Sequence, residues 1–133
     1  MSEELIMKLS KSRQAEKALK IEDLQKRFKF DLELGEIWNL RSGMRADVLH
    51  HFKGQSSSNT RYKQVQFWFV LPNEHEKSNI KIAAHRMIWA VVHGRWPADG
   101  MDIDHINSNT LDNRPCNLEE VTEIENIRRG RQR

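Results

Sequence analysis

An α+β fold follows from three features of the 133-residue sequence. The N-terminal stretch is built of helix formers without Gly or Pro, the middle third alternates apolar and polar residues, and the C-terminal third holds a short apolar helix, two strands and a capped helix. Residues 2–27 predict helix, with Leu5, Ile6, Leu9, Ala15, Leu19, Ile21 and Leu24 as its apolar positions. Mixed charges on residues 1–20 predict a solvated helical arm, ahead of one domain over residues 21–133.

From Phe28, alternating Phe28, Phe30 and Leu32 lead to Gly35 and then to residues 36–40, which reads as strand, turn, strand. A polar loop over residues 54–59 precedes a strand over residues 62–71, with Val65, Phe67 and Phe69 on one face and Gln64, Gln66 and Trp68 on the other. Residues 80–83 return as its partner, giving a small antiparallel sheet. Residues 83–93 predict a short buried helix, since Ala84, Met87, Ile88, Val91 and Val92 fall at i, i+3, i+4, i+7 and i+8, and Gly94 stops it. Residues 102–106 and 117–121 predict two strands joined by a turn-rich loop. Thr122 and Glu125 form a T-x-x-E capping box that opens a last helix, and Gly130 ends it.

Composition excludes several classes. Hydrophobic residues make up 38% and charged residues 31%, and mean hydropathy is −0.77. No 18-residue apolar window exists for a membrane span, and the Lys-bearing start lacks the apolar core of a secretory signal. The single Cys116 can form neither an internal disulfide nor a cysteine-based zinc site, so a reducing cytoplasm is expected and no structural zinc. The net charge of +3 is unevenly spread. Residues 41–95 carry nine basic against three acidic side chains, residues 96–126 one against eight, and residues 127–133 four against none. Such a distribution suits a protein that holds a divalent cation beside a polyanion.

The acidic block holds the candidate chemistry. A cation that cleaves a phosphodiester needs a few hard oxygen ligands, the other positions being left to water and substrate. Asp104 at a strand end and Asn126 on the following helix can supply a carboxylate and an amide. His105 is the natural general base, because imidazole titrates near ~6.5. Asn117, on the second strand, could fix the imidazole tautomer.

These residues resemble the HNH nuclease motif, in the Asn-bearing variant of phage and intron homing endonucleases. The matching strings are Asp104-His105-Ile106-Asn107, Leu111-Asp112-Asn113-Arg114, Asn117-Leu118, and Val121-Thr122 leading to Glu125-Asn126, with His105 preceding Asn117 by 12 residues and Asn126 by 21. Weaker matches reach upstream to Ala84-His85-Arg86-Met87-Ile88-Trp89, Gly94-Arg95-Trp96-Pro97 and Leu24 to Trp38. The resemblance implies a C-terminal ββα-metal (His-Me finger) HNH motif over about 101–130. It implies one divalent ion, Mg²⁺ first and Mn²⁺ as a substitute, held by Asp104 and Asn126, with His105 activating water and Asn117 orienting it. Asn113 would hold the loop. Products would carry 5′ phosphate and 3′ hydroxyl ends.

The implied substrate is double-stranded DNA, with Arg61, Lys63, Arg128, Arg129 and Arg131 as backbone contacts and a bacterial host cytoplasm as the setting if the protein is phage-encoded. A double-strand cut would need a homodimer or partner protein, since one motif gives one site. The alternative is a catalytically silent DNA-binding or regulatory module on the same fold. One geometric tension accompanies this reading: neighbours on a strand face opposite ways, so Asp104 and His105 share a site only at a bulge or strand end.

Overall fold

A computed structural model describes residues 2–49 and 62–132. Its architecture is α+β. The predicted continuous N-terminal helix is instead three short ones, α1 (Glu3–Met7), α2 (Lys11–Ala18) and α3 (Ile21–Arg27). The breaks have local causes: Ser10 is extended and its hydroxyl accepts from the Arg13 N–H, and the Lys20 N–H donates to the Asp23 carboxylate. The stretch expected to be a solvated arm is docked from α2 onward, with Ala15 and Leu19 in the hydrophobic core and the Ser12 hydroxyl donating to the Lys81 carbonyl.

Strands β1 (Phe28–Asp31) and β2 (Glu36–Asn39) form a hairpin in which Asp31 pairs with Glu36. A second, three-stranded sheet has the order β3 (Asp47–Leu49), β4 (Lys63–Phe69), β5 (Ser78–Ala83), all antiparallel. The expected alternation holds: Val65 and Phe67 are buried, Phe69 packs on the core, and Gln66 and Trp68 are exposed. Strand β3 was not expected, and three residues are too few to show a period.

Helix α4 (Ala84–His93) follows β5 directly and stops at Gly94, whose φ of 72° is the left-handed conformation a helix end favours. It is buried all round from Ala84 to Ala90, more completely than one stripe requires, because β4, β5, α3, the strand over Met101–His105 and the turn at Pro115–Asn117 all pack on it. Strands β6 (Met101–His105) and β7 (Leu118–Thr122) form the third sheet, and α5 (Glu123–Gln132) folds back over it. Thr122 caps α5 as predicted, accepting from the Glu125 N–H, whereas the Glu125 carboxylate binds Arg128 and Arg129. Gly130 does not end the helix, which continues to Gln132.

One core joins the sheets, running from Ala15 and Leu24 through Ile37, Val65 and Met87 to Ile103 and Leu118. Glu16 and Arg86 are buried in it as a pair, with Arg86 Nη2 and Nε donating to the same carboxylate oxygen at 2.9 and 3.3 Å. Among the described residues no helix is long and apolar enough to cross a membrane.

Candidate functional site

Strand β6 carries two sets of side chains. Asp102 and Asp104 face α5: Asn126 Nδ2 donates to Asp102 Oδ2 at 3.2 Å, and Arg129 Nη1 donates to Asp104 Oδ2 at 3.1 Å. His105 points the other way, toward α4, where its ring meets the edge of His85 with centroids 4.8 Å apart. The ladder is regular through the last pair, His105 with Leu118, so no bulge reconciles these directions. The strand end does. A cavity of about 310 Å³ opens there, lined by Asp104, His105 and Asn126 together with Tyr62, Ile103, Ser108, Thr110 and Gly130.

Asp104, His105, Asn113 and Asn117 are all buried. The two loop asparagines divide their work differently from the sequence reading. Asn117 does not reach His105: its oxygen accepts from the Asn107 N–H, and its Nδ2 donates to Asn107 Oδ1 and to the Asp112 carbonyl, all at 2.9 Å. It ties both ends of the loop. Asn113, expected only to hold the loop, places Oδ1 2.8 Å from His105 Nε2. Asp112 braces the same loop through Arg114, whose guanidinium holds that carboxyl well below the usual range.

The expected DNA contacts also separate. Arg61 lies outside the described residues. Lys63 is half-buried at the start of β4. Arg128 is exposed and pairs with Glu125, and Arg131 is exposed beside Ile124 and Ile127. Arg129 turns inward, its Nη1 reaching Asp104 at 3.1 Å and Glu119 at 2.8 Å while Nε reaches Glu125 at 3.1 Å. Asp104 and Glu119 are direct cross-strand partners, so Arg129 offsets two carboxylates that would otherwise repel. Its place was readable, three residues after Asn126 and hence on the same helix face.

The donor set suits a hard cation. Asp104 is within reach of a positive group already, and with Asn126 Nδ2 spent on Asp102 the amide oxygen is left for a ligand. Among the described residues no three His, Cys, Asp or Glu side chains are grouped to hold a metal. The fit therefore rests on one carboxylate and one amide.

Two strands, a buried histidine at the end of the first and a helix laid across them make a ββα unit near the C-terminus of an α+β fold. Residues 82–128, which span most of this unit and α4, match the family model described as HNH endonuclease. Among solved structures the chain is similar to the HNH homing endonuclease I-HmuI, described for its DNA binding and cleavage. The TM-score is 0.57 at 18% identity, over 86% of this chain and 57% of that one. The chain thus spans a little over half the length of that structure, and the likeness speaks for the fold. No curated protein matches.

Proposed function

We propose that this chain is a metal-dependent endonuclease of the Asn-bearing HNH variant that hydrolyses phosphodiester bonds in duplex DNA. The observation that carries the reading is the cavity at the end of β6, where Asp104, His105 and Asn126 come together from opposite strand faces and a helix. Asp104 and Asn126 would hold one divalent ion, Mg²⁺ or in its place Mn²⁺, which when bound would polarise a phosphate oxygen and stabilise the departing 3′ oxygen. His105, shielded between Tyr62 and His85, takes the proton of the attacking water. The products are a 5′ phosphate and a 3′ hydroxyl. Arg128 and Arg131, exposed on the same helix as Asn126, are placed to follow the DNA backbone, with affinity that falls as salt rises. A single site nicks, and a double-strand cut requires a second copy or a partner nuclease.

The test is conversion of supercoiled plasmid to nicked and linear forms with Mg²⁺, for wild type, His105→Ala and an EDTA control. Nicking lost in both controls supports the reading. DNA binding without cleavage under Mg²⁺ and Mn²⁺ would favour the silent module instead.

A further inference from the structure

Asn113 is the most deeply buried polar side chain at the site, 1% exposed. Its amide has been committed to one partner at the expense of another. Oδ1 meets His105 Nε2 at 2.8 Å, while Nδ2 has no hydrogen-bond partner among the described residues. A buried donor left without an acceptor is costly, so the loop holds the amide in an orientation that satisfies the imidazole and not the amide itself. An amide oxygen only accepts, hence Nε2 must carry the proton and Nδ1 is the basic nitrogen of neutral His105.

The position of Asn113 is set from outside the ββα unit. Gly35, the tip of the β1–β2 hairpin, is buried with φ of 69° against the peptide that joins Asn113 to Arg114. A Cβ there would lie 2.5 Å from Arg114 N and 2.7 Å from the Asn113 oxygen, and closer still to the Asn113 carbonyl carbon. All are backbone atoms, which cannot swing aside. Glycine is required on both counts, conformation and space.

We propose that Asn113 is the positioning residue that fixes the tautomer of His105, and that the β1–β2 hairpin tip at Gly35 seats it. The proposal rests on His105 being the base. It assigns to Asn113 a task expected of Asn117, and it makes a hairpin that lies outside the matched segment, residues 82–128, part of the catalytic support.

The experiment is long-range ¹H–¹⁵N correlation of the His105 ring in the full chain, which reports the tautomer without any cleavage. Wild type should show a protonated Nε2 and a bare Nδ1. In Asn113→Ala the ring should become a mixture of tautomers, while Asn113→Asp, whose carboxylate oxygen still accepts, should keep Nε2 protonated. In the plasmid assay Asn113→Ala should lower kcat about 10-fold or more, a part of the roughly 10²- to 10⁴-fold that a positioned base supplies, with KM for DNA unchanged. Gly35→Ala, with Asn113 intact, should disturb the same ring signals.

A wild-type ring protonated on Nδ1 would overturn the proposal, whether or not any variant folds. So would a folded Asn113→Ala with the wild-type tautomer. If wild type cuts no DNA, the nuclease reading fails while the ring spectrum still decides what Asn113 does.

Discussion

His85 has been shut away from water behind His105, and the imidazole is pushed down to about 3, by burial first and by the charge of His105 second. In the unfolded chain the same group titrates near 6.5. Between these values the unfolded state binds more protons than the folded one, so stability is complete above about pH 6.5 and falls as the pH drops toward 3. His85→Phe keeps a flat ring against Tyr62 and His105 but cannot titrate. Urea midpoints measured from pH 7 to pH 4 should therefore fall less steeply in this variant than in wild type; parallel curves would remove His85 from the account. At this scale the convergence of Asp104, His105 and Asn126 on one cavity was legible, because a carboxylate, an imidazole and an amide at those intervals are the groups that a hard cation and a proton acceptor would need. Asn113 and Asn117 were not separable. Asn107, Asn109, Asn113 and Asn117 carry identical amides along one loop, and which of them meets the imidazole depends on the loop's path, including a positive φ of 66° at Ser108 and the hairpin tip behind Asn113.

Helix α5 shows what sequence signals decide about an element and what they leave to context. The Thr122 cap was readable because its hydrogen bond closes within one turn. Gly130 was misleading, since glycine permits a stop without enforcing one, and Arg129 is anchored to Asp104, Glu119 and Glu125 across that turn. Its φ is not positive and a Cβ would meet no atom within 4 Å. Gly130→Ala should accordingly stabilise the protein by about 0.5–1 kcal/mol, seen as a higher Tm by calorimetry; a lower Tm would mean the backbone there is not helical. The opposite error befell the N-terminus, where a run of helix formers concealed two breaks. Ser10 competes for its own helix start, and Leu19 leaves the helix to give its carbonyl to Trp96 Nε1 at 3.0 Å.

At the scale of the whole molecule, the strands among the described residues are divided over sheets too small to stand alone, two of two strands and one of three. Ile103 and Leu118 from the C-terminal sheet share their core with Ala15, Leu24 and Phe28 from the start of the chain. The excised segment 82–132 should then give no cooperative thermal transition, although it contains the whole family match; a sharp unfolding endotherm from that fragment would show that its own core suffices. The α+β class and the order of elements were legible because period two and period 3.6 are local properties. The packing of the second and third sheets on α4 was not, since it depends on which apolar faces meet across the chain.

The pair of Glu16 and Arg86 gives this arrangement an order in time. The two residues are 70 apart in sequence, and Lys17 is 82 from its partner Asp99. α2 precedes α4 in the chain, so during synthesis Glu16 lacks its Arg86 partner until α4 has been made. Contacts of such separation form slowly. The strand bearing Asp104 and His105 follows Arg86 closely in the chain, so the contacts that seat α2 and the strands of the site both wait on the C-terminal third being made.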